Sequence, residues 1–435
     1  MKAILFIGDD LQPDLEAPQH QLILGGLTLV TRCLRTLARA GVSEIFALAP
    51  ERDLETLQRD ATRDHHFKSQ VHWFAHSARY QDATQALKRH VESLPDTAWL
   101  LSADRLVTGG LFALPTNETT DVSEEASEEA SEDSHLAHAP ITSIADESGD
   151  VGIFWLDHGL ASLLPDAPSP LSALVSPEAP RHIPAKPIWA PVTRRDDFKY
   201  AQRQLTRMLR KPMARTADGL TSYWVNRPIS LQMSKHLVNT PLTPNHVTAI
   251  ALLLGLLAAW FVSYGSWFEL ALGGVLLQVS SIVDGVDGEL ARMRLTSSRF
   301  GEWFDTVSDT VVNISFLAGI SHAAYQLSSA SYVAYFGIST LVVTIIGVVI
   351  IYVDLIRAGK ASHNSIEWDF EQGEKTFITR VFSGFALIAK RDTYTLILMC
   401  LTIANLPLVA FWVMSIGAMI IGLASVIQKT LHLMR

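Results

Sequence analysis

Asp284-Gly285-Val286-Asp287-Gly288-Glu289-Leu290-Ala291-Arg292 and, eight residues further on, Gly301-Glu302-Trp303-Phe304-Asp305-Thr306-Val307-Ser308-Asp309 are the two stretches on which the fold turns. Asp284, Asp287, Gly288 and Ala291 fall at i, i+3, i+4 and i+7, which is one face of a helix. Asp305 and Asp309 stand one helical turn apart. Both pairs lie at the ends of long apolar runs, where an ionisable group is costly and marks function. Two carboxylates from each of two adjacent helices can converge on one point. Four bare carboxylates would repel one another, and one or two divalent cations would relieve that; all-oxygen donors suit Mg²⁺, Mn²⁺ or Ca²⁺ rather than zinc. Gly288 and Ala291 leave a groove on the same face, Arg292 adds a fixed cation suited to phosphate, and Gly301 relieves crowding before the second pair. A metal centre, a phosphate cation and a slot are the parts that phosphoryl-type transfer needs.

Outward from this core, the chain divides into unlike halves. Its 435 residues, net charge of −9 and 48% hydrophobic content average a mixed polar region before about residue 220 and a strongly apolar one after about 245. Six runs there approach the roughly 20 apolar residues that a bilayer requires: 246–264, 267–289, 303–325, 331–356, 393–408 and 409–430. The loops near 265, 326–330 and 406 carry no Lys or Arg. The opposite loops carry Arg292, Arg294, Arg299, Arg357, Lys360, Lys375, Arg380, Lys390 and Arg391, and the chain's end carries Lys429 and Arg435. The positive-inside rule then places both termini and the aspartates on the cytoplasmic side of a cell inner membrane of bacterial or archaeal type. Residues 191–240 interleave Lys199, Arg203, Arg207, Arg210, Lys211 and Arg215 with Leu205, Met208 and Leu209, a basic amphipathic region suited to anionic lipid, and Ser230–Val238 continues it as an interfacial helix.

Residues 1–190 read as an α/β domain. Strands are expected over Ala3–Ile7, Glu44–Ala49, Ala98–Ser102 and Val151–Leu156, and helices over Leu29–Ala40 and Ala83–Val91; the alternation argues for an open, mostly parallel sheet. The start runs too quickly into Asp9-Asp10 for a signal peptide. Ser-Glu-Glu-Ala repeats within Asp121–Asp133 predict a solvated acidic insertion near 117–140. Cys33 and Cys400 are too few and too far apart for a disulfide framework and read as buried free thiols. His65, His66, His72 and His76 read as surface residues in a polar stretch rather than as metal ligands. No basic tract points to nucleic acid.

The pattern Asp-x2-Asp-Gly-x2-Ala-Arg-x8-Gly-x3-Asp-x3-Asp resembles the signature of the CDP-alcohol phosphotransferases, and every fixed position of it is present. Leu242-Thr243-Pro244-Asn245-His246-Val247-Thr248 resembles that family's entry to its first membrane helix. The resemblance covers about 200 residues and implies a domain over 241–435 with six transmembrane helices, a homodimer, and a metal site with two Mg²⁺ or Mn²⁺ ions open to the cytoplasm. By position it implies Asp284, Asp287 and Asp305 as metal ligands, with Asp309 a further ligand or the catalytic base. It implies Asn245, Asp287, Gly288, Ala291, Arg292 and Gly301 around the CDP moiety. The donor would be a CDP-alcohol, the acceptor a lipid or a polyol phosphate, and the leaving group CMP. Arg357, Arg380 and Arg391 are candidates for the acceptor's phosphate.

The first half resembles the sugar-phosphate nucleotidyltransferases through Gly25-Gly26, the helix after it, Gly41-Val42 and Glu44-Ile45, with Asp104 matching that family's metal-binding Asp. It departs from them at Gly8-Asp9-Asp10, where a phosphate loop should carry an Arg, and at Ala17-Pro18, where Lys-Pro is expected. A degenerate, inactive domain of that fold is the expectation. The same domain order occurs in bifunctional inositol-phosphate cytidylyltransferase/di-inositol-phosphate-phosphate synthases, whose junction resembles Lys211-Pro212, Asp218-Gly219 and Asn226-Arg227-Pro228-Ile229-Ser230, and whose fifth span begins after a match to Lys390-Arg391-Asp392. The alternatives are therefore a bifunctional enzyme that also makes its CDP-alcohol and, from another class, a divalent-cation transporter, which would not need Gly288, Ala291, Arg292 and Gly301. A catalytically silent membrane anchor is a third, opposed by the intact aspartates.

Overall fold

A computed structural model describes residues 1–8, 21–66, 69–78, 82–95, 98–103, 105–106, 141–146, 149–156, 181–182, 190–191, 195–210, 222–357 and 391–434. The acidic insertion, Asp9-Asp10, Ala17-Pro18, Asp104, Lys211 to Gly219 and Arg380 lie outside the described residues. The chain forms two compact units, Met1–Thr206 and Arg207–Arg435.

The first unit is an α/β sheet. Its strands, in chain order, are β1 (Lys2–Phe6), β2 (Ile23–Leu24), β3 (Leu27–Thr28), β4 (Glu44–Pro50), β5 (Gln70–His76), β6 (Ala98–Ser102), β7 (Arg105–Leu106), β8 (Ile141–Asp146), β9 (Gly149–Leu156), β10 (Arg181–His182) and β11 (Ala190–Pro191), of which the main sheet takes the order β10-β8-β9-β6-β1-β4-β5. The central pairs β1–β4, β1–β6 and β4–β5 are parallel, whereas β9 runs antiparallel to β6 and β8. β1 is nearly continuously apolar because helices cover both of its faces. On one face, Val30, Cys33, Leu34 and Leu37 of α1 (Leu29–Arg39) pack on Ala3, Leu5, Ile45 and Trp99. On the other, Ala83, Ala86 and Leu87 of α3 (Ala83–His90) pack on Ile4, Phe6, Phe46 and Leu48.

Two elements of this unit escape the sequence pattern. β5 lies in the polar stretch that carries the histidines. There His72 stacks on Phe46 with centroids 4.9 Å apart and His76 on Phe6 at 4.8 Å, so His76 is buried rather than superficial. His65 and His66 are exposed, as expected. The helix α2 (Leu54–Arg63) has no fully buried residue, which is why its periodicity is faint.

The short hairpin β2–β3 (Ile23–Leu24 and Leu27–Thr28) turns through Gly25 and Gly26, both at positive φ, the conformation a two-residue hairpin demands. Arg32 clamps this turn by donating to the carbonyls of Leu24 (2.7 Å) and Gly25 (3.2 Å); burial pushes its guanidinium down to about 10, still cationic at neutral pH. The doublet's neighbouring arginine is thus spent on backbone carbonyls. Arg35 makes a two-pronged ion pair with Asp64 at 2.7 and 2.9 Å, with both side chains under a tenth exposed. Arg35→Met would leave Asp64 buried beside no matching cation and is expected to destabilise this unit by about 3 kcal/mol. Pulse proteolysis of the full chain in urea reads that loss as an earlier cleavage midpoint of the first unit; an unmoved midpoint would show the pair to be dispensable.

The second unit is helical. Its described helices are α5 (Arg227–Leu237), α6 (Pro244–Val262), α7 (Trp267–Met293), α8 (Arg299–Ser328), α9 (Ser331–Arg357), α10 (Arg391–Ile403) and α11 (Pro407–Met434), numbered after α4 (Arg195–Arg210) of the linking region. Among the described residues α6, α7 and α9 are long and apolar enough to cross a membrane. Their exposed Leu253, Trp260, Ile338, Val342 and Val349 suit lipid contact. The break between the last two helices falls at the turn expected near 406: α10 ends at Ile403, Asn405 turns at φ 57°, and Pro407 opens α11. Cys33 is buried, but Cys400 faces outward from α10, contrary to expectation, because an apolar environment outside the bundle tolerates a thiol as well as the inside does.

Glycines let three helices approach one another. A Cβ on Gly319 would lie 2.5 Å from the Ala259 carbonyl oxygen, and one on Gly273 2.9 Å from that of Ala258. α6 therefore packs backbone-to-backbone on both α7 and α8, the small-residue mode of membrane helices, so the two acidic helices share α6 as a common partner.

Candidate active site

The turn joining α7 to α8 brings the two aspartate pairs together. α7 ends where Leu295 takes a left-handed conformation (φ 52°), and α8 starts at Ser298, whose hydroxyl accepts from the Gly301 amide at 3.0 Å. Arg294 pins the turn by donating to the carbonyls of Leu237 (2.8 Å), Val238 (2.8 Å) and Thr240 (2.7 Å), so this arginine serves the backbone of the preceding segment. The carbonyls it binds follow the last turn of α5, where a cation is favoured.

Asp284, Asp287 and Asp305 each offer a carboxylate oxygen, and those oxygens all lie within 4.8 Å of one another. Asp287 is buried, and its Oδ2 accepts from the hydroxyl of Thr248 on α6 while its Oδ1 accepts from the Gly288 amide. Three anions at this spacing, drawn from two helices and partly withdrawn from water, fit a hard divalent cation.

Asp309 stands beside this group. Its Oδ1 accepts from Arg391 of α10, which also donates to Asp284 Oδ2 at 2.7 Å. Thus Arg391 joins the aspartate cluster from a third helix. Among the described residues its Nε is buried with no hydrogen-bond partner. Arg357 is exposed at the end of α9.

The remaining predicted residues line the same end of the bundle. A Cβ on Gly288 would press to 3.1 Å from the Arg292 guanidinium, so the glycine leaves room for that cation. A Cβ on Gly301 would lie 3.3 Å from Asn245 Oδ1, which places Asn245 of α6 against the start of α8. Ala291 is half-buried on the face shared by Asp284 and Gly288.

The sequence reading met Asn226, Arg227, Ser230 and Asp392 only as a junction resemblance, and missed Glu289, Ser234 and Gln278 and the network that joins them all. Glu289 is fully buried and accepts from Ser230 Oγ at 2.7 Å, Ser234 Oγ at 2.6 Å and Arg227 at 3.1 Å. Asn226 donates to Asp392 at 3.2 Å and accepts from Gln278 at 2.8 Å. These partners lie more than fifty residues apart in sequence, so no local pattern announces them.

The aspartate stretches fall within a segment that known proteins match. Residues 241–423 match the family model described as CDP-alcohol phosphatidyltransferase. The chain is 27% identical over 339 residues to the bifunctional IPC transferase and DIPP synthase of Aquifex aeolicus, covering 72% of this chain and 74% of that protein. It is 40% identical over 135 residues to the protein of the same name from Thermococcus kodakarensis, covering 31% of this chain and 29% of that one. The solved structure of HddC from Yersinia pseudotuberculosis, complexed with GMP-PN, covers 47% of this chain and 99% of that chain at 11% identity, with a TM-score of 0.33, too low to add to the sheet topology. The transferase is thereby preferred over the cation transporter and the silent anchor. With its aspartate signature intact among the apolar helices, the segment 241–423 is a CDP-alcohol phosphatidyltransferase domain.

Proposed function

We propose that the second unit is a six-span membrane transferase, dimeric, with its active site on the cytoplasmic side, in which Asp284, Asp287 and Asp305 hold the divalent metal and Asp309 acts on the acceptor. The observation that carries this is the convergence of three carboxylates from α7 and α8, with the Arg292 guanidinium lying over Gly288 beside them. The aspartate set would hold two Mg²⁺ or Mn²⁺ ions, which would supply charge neutralisation at the donor's phosphates and a lowered pKa of the acceptor hydroxyl. Asn245, Asp287, Gly288, Ala291, Arg292 and Gly301 receive the CDP moiety: the small residues admit it close to the backbone, and Arg292 faces its phosphates.

In the transfer, Asp309 takes the proton of the acceptor hydroxyl. The freed oxygen attacks the donor's β-phosphorus, a new P–O bond forms, the bond to the CMP oxygen breaks, and CMP leaves. Arg391, already between Asp284 and Asp309, has its Nε turned to no described partner, which suits a phosphate on the acceptor. Arg357 and Arg380 are the other candidates on that side. A phosphorylated polyol or a lipid with a phosphorylated headgroup both satisfy this chemistry.

For the first unit, a degenerate nucleotidyltransferase-like domain remains our reading. The Aquifex aeolicus match, longer than the 241–423 segment, reaches into this unit and supports a second possibility, that it supplies the CDP-alcohol. Ala17-Pro18 in place of Lys-Pro weighs against it.

The test is CMP release by the purified full chain in detergent, with CDP-diacylglycerol and CDP-inositol as donors and inositol phosphate, glycerol phosphate and serine as acceptors. One donor–acceptor pair should give acceptor-dependent CMP, lost in Asp309→Asn. Donor binding without CMP release from any pair would count against these roles.

A further inference from the structure

The groups behind the aspartates form a brace, and its geometry carries more than packing. Arg227, Ser230 and Ser234 lie at i, i+3 and i+7 on one face of α5, and all three donate to the carboxylate of Glu289 on α7. The same Ser230 lies over Gly285, where a Cβ would be 3.7 Å from its hydroxyl. α5 therefore grips α7 at Gly285 and again at Glu289, one turn apart, with Asp287 between them in sequence. A second grip lies a turn before Asp284. Asn226 donates to Ser281 at 3.4 Å and accepts from Gln278 at 2.8 Å, both on α7. Asn226 and Ser281 also donate to Asp392 at 3.2 and 3.3 Å, and Thr395 donates to Gln278 at 2.9 Å. Asp392 directly follows Arg391, the residue that binds Asp284 and Asp309.

A buried carboxylate is a poor way to gain stability, since apolar residues of the same volume often do as well or better. What hydrogen bonds at fixed angles supply is register. Successive residues of a helix are 100° apart around its axis, so a small roll of α7 would turn Asp284 and Asp287 away from Asp305. Apolar packing tolerates such a roll. A carboxylate held by an arginine and two hydroxyls does not.

Resting on the functional reading above, we infer that Glu289 and Asn226 are positioning residues: through the segment 226–234 they fix the rotation of α7 and the place of Arg391, and so set the affinity of the aspartate site for its metal. Neither residue touches the reacting groups. Their effect passes through Asp284, Asp287 and Arg391.

The experiment measures Mn²⁺ binding to the purified full chain by electron paramagnetic resonance, independently of turnover, for wild type, Glu289→Gln, Ser234→Ala and Asn226→Ala. Loss of an outer partner typically weakens metal binding ten- to a hundredfold. Glu289→Gln should raise the Mn²⁺ Kd about tenfold in protein that still elutes as wild type does, and should lower kcat while leaving the donor KM within about twofold. Ser234→Ala removes one hydroxyl without adding bulk, and should raise the Kd by a smaller factor if Glu289→Gln does not fold. Wild-type Mn²⁺ affinity in the folded fraction of these variants, whatever their yield, would overturn the inference and leave the brace a purely structural feature. Should wild type bind Mn²⁺ but release no CMP from any donor, the functional reading fails while the series of Kd values still decides the positioning role.

Discussion

Asp305→Asn is expected to lower acceptor-dependent CMP release by about a thousandfold, the scale on which a charged group acting directly on a phosphoryl-transfer site contributes. Asp305 comes from α8 and meets two aspartates of α7, with their oxygens within 4.8 Å. An amide keeps the shape and one oxygen donor but removes a negative charge, so the site would hold a divalent cation weakly and place it poorly. The side chain is half-buried and α8 is anchored by its Ser298 cap and by glycine contacts to α6, so the fold should persist. Initial rates at saturating donor, alongside a Mn²⁺ titration, check this. A variant within tenfold of wild type at low metal would mean that Asp305 is not a ligand.

Arg391→Gln carries the second large effect, a fall of about a hundredfold in kcat/KM for the acceptor, or about 2.7 kcal/mol of lost transition-state stabilisation. The guanidinium bridges Asp284 and Asp309 and keeps a buried Nε without a described partner. Glutamine can neither balance the two carboxylates nor offer a forked donor to a phosphate. The loss should appear in the acceptor KM and in kcat, with the donor KM little changed. A rise in donor KM alone would move Arg391 from the acceptor side to the CDP side.

These residues differ in how far the sequence discloses them. The aspartates were legible because metal chemistry fixes both residue type and helical phase within a few positions, and the structure brings Asp284, Asp287 and Asp305 together. The long apolar runs disclosed the membrane helices for the same local reason. The central parallel strands were legible because burial on both faces leaves β1 almost purely apolar. β5 was not, because His72 and His76 are satisfied by stacking on Phe46 and Phe6, partners that only the sheet register supplies. Glu289 was hidden more thoroughly. Beside Gly288 it reads as one more exposed charge, and its partners Arg227, Ser230 and Ser234 lie 62, 59 and 55 residues earlier. Arg391 was visible as a basic residue on the charged side of the membrane; its place between Asp284 and Asp309 depends on the packing of α10 against α7 and could not be read from spacing.

The most direct test of the central claim, that aspartates from α7 and α8 carry a metal-dependent transfer with CMP as the leaving group, is a single comparison on the purified wild-type chain. CMP is measured with donor and acceptor together, after treatment with EDTA and again after Mg²⁺ or Mn²⁺ is restored. Release that needs the acceptor, vanishes with chelation and returns with the ion is the result expected. CMP release that persists undiminished in EDTA would contradict it.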